Sequence, residues 1–124
     1  MTPDYGEVKE LQRRMRKASR TIQQLARVVG QAKTVIRYDA DRRKQLLAQY
    51  MVKYLKNGES AVGAEAQARA DEAYGKELDV QQEEVNTAEG ILAQEAAELN
   101  AWDTCRSLLS WERESFRNLE NAEY

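Results

Sequence analysis

Residues 56–74 read KNGESAVGAEAQARADEAY, and the fold turns on where this stretch lets a helix stop and start. Asn57-Gly58 ends a helix well, because glycine accepts the left-handed conformation that closes the last turn. Ser60 can cap a short alanine-rich helix behind it. Asp71 can cap the next helix, with Glu72 in the first turn, where a carboxylate meets the positive end of the helix dipole. The stretch therefore predicts three helices, spanning about 4–56, about 60–69 and about 72–119.

Outward from that stretch, both flanks carry helical periodicity. On the N-terminal side Thr2-Pro3-Asp4 suits a helix start. Val8, Leu11, Met15, Ala18, Ile22, Leu25, Val29, Ala32 and Ile36 then alternate steps of three and four, the spacing of a coiled-coil seam. The stripe breaks at Asp39 and Arg43 and resumes at Leu47, Tyr50 and Tyr54. On the C-terminal side the same spacing runs through Tyr74, Leu78, Gln81, Val85, Ala88, Leu92, Glu95, Leu99, Trp102, Arg106, Leu109, Arg113 and Phe116, with four polar members. Two long helices joined by a short apical one fold back as an antiparallel hairpin. Pairing Tyr54 with Tyr74 places Ile36 against Leu92, Met15 against Arg113, Lys33 near Glu95, and Arg43 beside Glu84 and Val85.

Charge supports that pairing. The chain has 19 Lys/Arg and 21 Asp/Glu. Residues 1–56 hold 14 of the cations and 5 of the carboxylates, and residues 57–124 hold the other 5 and 16. A basic first half and an acidic second half can lie against each other. Exposed pairs of this kind contribute only about 0.2–1 kcal/mol each, so they choose register more than they hold the fold.

Composition excludes much chemistry. With 124 residues, 32% of them charged, and one proline, the chain is one helical domain at most, residues 1–124. It has no N-terminal apolar run of a signal peptide and no apolar stretch of membrane-spanning length, and Cys105 is its only cysteine; these favour the cytoplasm. There is no histidine, which removes the commonest general base and transition-metal ligand. The glycines form no phosphate-binding loop. Glu95 and Glu98 lie on neighbouring turns, a spacing expected by chance in so acidic a chain. The expectation is a protein that is not an enzyme and uses no cofactor or metal.

Two surfaces remain as candidates. Val28, Val35, Ile91, Cys105, Leu108 and Trp111 are apolar but off the seam. Left exposed they would form a patch, and a homodimer closing into a four-helix bundle covers it without a second gene product; a docking face for another protein is the alternative. The second surface is basic: Arg13, Arg14, Arg16, Lys17, Arg20 and Arg27. In the register above, residues 8–27 and their partners keep a surplus of about +5. An uncancelled basic end can hold phosphates, dock an acidic protein, or stay a wet helix face; no aromatic residues are interleaved for base stacking. Tyr50, Tyr54 and Tyr74 crowd the apical end, where packing of the short helix explains them, with a recognition surface as the alternative.

The segments AEAQARADEAYGKEL (64–78) and WDTCRSLLSWERESFRNL (102–119), through Asp71, Tyr74 and Leu78 and through Trp102, Arg106, Ser107 and Leu109, resemble small helical-hairpin proteins of bacteriophages encoded near recombination and DNA-metabolism genes. The resemblance implies a phage setting and an accessory, non-enzymatic role, and supplies no site residues. The functional expectation is a helical adaptor or inhibitor acting through protein contacts. The alternative is an accessory nucleic-acid-binding protein using segment 13–27.

Overall fold

The computed structural model describes residues 5–122. It has three helices: α1 Tyr5–Lys56, α2 Ala61–Ala70 and α3 Glu72–Ala122. The described residues contain no strand. The long helices α1 and α3 pack against each other as an antiparallel hairpin, with α2 as the short apical helix. The helix start expected at Thr2-Pro3-Asp4 lies outside the described residues.

The breaks form as their residues dictate. Gly58 has φ 92°, the left-handed region. Its N–H donates to the Leu55 carbonyl at 3.1 Å, and the Glu59 N–H donates to the Tyr54 carbonyl at 3.3 Å. These two bonds define a Schellman cap, which satisfies carbonyls the end of α1 would otherwise leave open. Ser60 Oγ accepts the Gly63 N–H at 3.1 Å and caps α2. Asp71 alone turns the chain from α2 into α3. Its N–H donates to the Ala68 carbonyl at 3.1 Å, and its Oδ1 accepts the Ala73 N–H at 2.9 Å.

The chain clusters into two compact units, one of residues 28–92 and one of residues 1–27 with 93–124. In the 28–92 unit the buried side chains are Val29, Ala32, Leu46, Ala64, Ala68, Tyr74, Val85 and Ala88. The register differs from the expected one by about a turn. Tyr74 packs against Tyr50, with ring centroids 5.5 Å apart and the rings tilted by 60°, rather than against Tyr54. Arg42, not Arg43, pairs with Glu84, at 2.8 Å. Arg43 instead pairs with Asp39 on its own helix at 3.0 Å and hydrogen-bonds Gln82. The cause is the one-residue corner. Tyr54 donates its hydroxyl to Asp71 Oδ2 at 2.7 Å, which places Asp71 where Tyr74 had been expected and moves Tyr74 on to Tyr50.

In the other unit Leu11, Cys105 and Leu109 form the core, with Val8 and Met15 packed against them, and Tyr5 stacks on Phe116 at 4.5 Å. Here the seam of α3 departs from the sequence expectation. Leu99, Arg106 and Arg113 are exposed, whereas Cys105, Leu109 and Glu112 are buried. The alternation of three and four slips by two consecutive threes through Leu92, Glu95 and Glu98, a stammer in coiled-coil terms. Strict continuation would have turned two guanidinium groups into the seam, and buried unpaired charge is among the costliest features a core can hold. The slip replaces Arg106 with Cys105. Among the described residues it leaves one buried carboxylate, Glu112, 5% exposed, whose Oε2 has no hydrogen-bond partner.

Candidate functional site

Chemistry first requires placed reactive groups. The chain has no histidine. Among the described residues, no cluster of three or more acidic or cysteine side chains is placed to hold a metal ion. Glu95 and Glu98 are half-buried along the α3 seam. Three surfaces remain as candidates.

The first is a groove in the 28–92 unit. Val28, Ala32 and Val35 of α1 and Val80, Ala88 and Ile91 of α3 line a cleft of about 440 Å³, rimmed by Gln31, Glu83, Glu84 and Thr87. Val28 and Val35 are two turns apart on α1. Val80, Glu84, Thr87 and Ile91 recur at helical spacing on α3 and so share its flank. The structure thus brings together three of the six residues expected on a partner face: Val28, Val35 and Ile91. Cys105 is corrected out of that set, because the seam slip buries it in the core with Leu11 and Leu109. Leu108 and Trp111 are exposed, 45% and 44%, in the other unit. Trp111 lies in a shallow surface among Ser107, Ser110, Arg113, Glu114 and Arg117. Val80 is the member the sequence reading missed; its spacing of eleven from Ile91 was the available signal.

The second surface is the basic segment of α1. Arg13 and Arg14 both grip Glu10, at 2.7 and 3.2 Å. The hydrogen bond from Arg13 comes first, and with the Arg13 charge and the hydrogen bond and charge of Arg14 it holds the Glu10 carboxyl down to about 2, against the opposing effect of burial. Arg14 and Lys17 share a surface depression with Glu98, Ala101 and Thr104, over Ala18 and Cys105. Arg16 and Arg20 share another with Ser19 and Gln23 and no carboxylate. The seam slip thus brings Glu98 beside the basic segment, and the surplus of about +5 expected for this end is reduced on that flank. Arg27 is exposed. Lys9, also exposed, belongs with these cations by position and was not among the residues singled out from the sequence.

The third surface is the apical cluster. Asp71 Oδ2 takes the Tyr54 hydroxyl at 2.7 Å and lies 3.5 Å from Lys53 Nζ. The Tyr54 hydroxyl, then the Ala73 and Tyr74 N–H groups and the Lys53 charge, hold the Asp71 carboxyl below its usual range, with burial opposing. The same hydrogen bond, then burial, pushes the Tyr54 phenol up. Burial, then the charges of Glu77 and Asp71, does so for Tyr50. The Asp71 carboxylate and the Tyr54 hydroxyl are engaged in turning the chain, which makes this cluster a structural corner.

No helix among the described residues is long and apolar enough to cross a membrane. No family model, curated protein or solved structure matches the chain.

Proposed function

We propose that the chain is a non-enzymatic interaction protein, a helical adaptor or inhibitor that works through protein–protein contacts. The observation that carries this reading is the groove of residues 28–92. Four large apolar side chains, Val28, Val35, Val80 and Ile91, come from two helices onto one flank, and Val80 is 58% exposed. An apolar cleft with a polar rim is the anatomy of a helix-docking surface. A second copy of the chain is the occupant that needs no other gene product, and its docking gives a homodimeric four-helix bundle. A phage origin goes with this reading through the resemblance of segments 64–78 and 102–119, and a cytoplasmic setting through the composition and the single cysteine.

Analytical ultracentrifugation tests it. The wild-type chain sediments at about twice its 14.2 kDa monomer mass, and Val80→Arg returns it to the monomer without loss of helicity. A wild-type monomer at about 100 μM, unchanged by Val80→Arg, removes the dimer.

A second reading has its own observation. Arg16 and Arg20 are exposed in a surface without a carboxylate, and this favours accessory nucleic-acid binding by the basic segment. Retention of the wild-type chain on a phosphate-bearing column at low salt, lost at high salt, is the first check.

A further inference from the structure

The charge on the first half of α1 is sorted by face. Leu11, Ala18 and the half-buried Met15 and Ile22 mark the side that faces α3. At about 100° per residue, Lys9, Arg13, Arg16, Arg20 and Arg27 fall within about 60° of one another, directly opposite that side. All five are exposed. Glu7 and Glu10 lie outside the arc, toward the seam flank. Arg13 reaches Glu10 at 2.7 Å. Among the described residues, Arg16, Arg20 and Arg27 make no ion pair. The stripe runs for about 27 Å at 1.5 Å per residue.

Three features of the arc choose its occupant. It contains no apolar side chain, whereas protein interfaces are built around an apolar centre. It contains no aromatic ring between Lys9 and Arg27; Tyr5, 72% exposed, lies one turn before it and packs on Phe116 at 4.5 Å. Single strands are held largely by stacking on such rings, while a duplex has its bases already stacked and presents phosphates. Four of the five cations are arginine, whose planar fork matches a phosphate in two-point contact. The geometry points to the sugar–phosphate backbone of duplex nucleic acid as the ligand of Lys9, Arg13, Arg16, Arg20 and Arg27, held without reading sequence. This deepens the nucleic-acid reading above and rests on it.

Fluorescence anisotropy with a random 30-base-pair duplex, a single strand of the same length and polyglutamate as competitor tests the assignment. Two variants are compared with wild type. The stripe variant carries Arg→Gln at 13, 16, 20 and 27 with Lys9→Gln. The flank variant carries Arg14→Gln and Lys17→Gln. Glutamine keeps helix propensity, and far-UV circular dichroism confirms that each variant is helical. Five phosphate contacts give a slope of about −4.5 in log affinity against log salt, an affinity loss of about 500-fold between 50 and 200 mM. The stripe variant loses duplex binding at 50 mM salt, while the flank variant stays within about threefold of wild type. Equal losses in both variants overturn the stripe and leave the broader nucleic-acid reading standing. Single-strand binding tenfold tighter than duplex binding overturns the duplex assignment alone. No binding of either nucleic acid by wild type at 50 mM overturns both. Displacement of duplex by polyglutamate at matched charge overturns both in favour of an acidic protein. A stripe variant that loses its helicity is replaced by the single Arg16→Gln and Arg20→Gln changes, each expected to reduce the slope by about 0.9; an unchanged slope overturns the stripe.

Discussion

Removal of the Asp71 side chain should open the apical corner, and the size of the effect follows from its bonds. Asp71→Ala deletes the acceptor for the Ala73 N–H at 2.9 Å, a helix N-cap worth about 1 kcal/mol. It also strands the half-buried Tyr54 hydroxyl, which donates to Asp71 Oδ2 at 2.7 Å, at a further cost of about 1 kcal/mol. The Lys53 contact at 3.5 Å is 62% exposed on the lysine side and adds little. Asp71→Ala should therefore destabilise by about 2 kcal/mol and Tyr54→Phe by about 1 kcal/mol. The double variant should cost about 2 kcal/mol rather than 3, a coupling of about 1 kcal/mol. Urea unfolding followed by far-UV circular dichroism at pH 7 reads these values. Simple additivity, with coupling below about 0.3 kcal/mol, would show that the hydroxyl and the carboxylate do not act together and that the corner is held otherwise. The pH dependence has a definite sign. The folded Asp71 carboxyl lies below its ordinary value of 3.8, so its contribution is complete above that value and is lost as pH falls from 3.8 through the depressed folded value. The Asp71→Ala difference should shrink over that range. At the other end, the Tyr54 phenol is raised above 10.0; its share holds below that value and lapses as pH rises through the raised one.

Gly58→Ala should destabilise by about 1 kcal/mol, because φ 92° costs a residue with a Cβ while no neighbouring atom crowds that site; an unchanged urea midpoint contradicts the Schellman cap. Glu112→Leu should raise the urea midpoint by an amount equivalent to about 1 kcal/mol or more, since it replaces a buried carboxylate with an unpartnered oxygen by an apolar side chain; a lowered midpoint means the carboxylate has a partner in solution. The Cys105 thiol, 7% exposed, should react with a disulfide reagent only as fast as the chain opens and stoichiometrically in denaturant; immediate labelling of the native chain excludes it from the core.

The helices were legible because their ends are written in local chemistry. Ser60, Asp71 and Gly58 act within a few residues of their own positions, so a cap or a left-handed turn can be identified without knowing what packs on it. Register was less legible, because it depends on a contact across the pair. The hydroxyl of Tyr54 takes Asp71 rather than stacking on Tyr74, and no periodicity announces that choice. The seam slip at Leu92, Glu95 and Glu98 was hidden for a similar reason. Both phases of α3 contain apolar and polar members in like proportion, and only the burial of Arg106 and Arg113 on one alternative decides between them. The groove was half visible: Val28, Val35 and Ile91 were found as off-seam residues, but Val80 was not, and Cys105 followed the wrong phase. The basic segment was plain in the sequence, yet its division into an outward stripe and a flank beside Glu98 depends on the slipped register.

The one-residue corner at Asp71 also sets the order in which the chain can close. The Tyr54–Asp71 bond spans 17 residues, the Arg42–Glu84 bond 42, and the Leu11–Cys105 contact about 94. Loop-closure entropy rises as the logarithm of the interval, so forming the last contact from an open chain costs about 1.5 kcal/mol more than forming the first. Once the corner exists, each successive turn of α1 meets α3 by closing only a few residues more. Folding should therefore zip from the corner toward the Tyr5–Phe116 pair, and stopped-flow urea chevrons should show substitutions at Tyr54 or Asp71 slowing folding and those at Leu11 or Leu109 chiefly speeding unfolding.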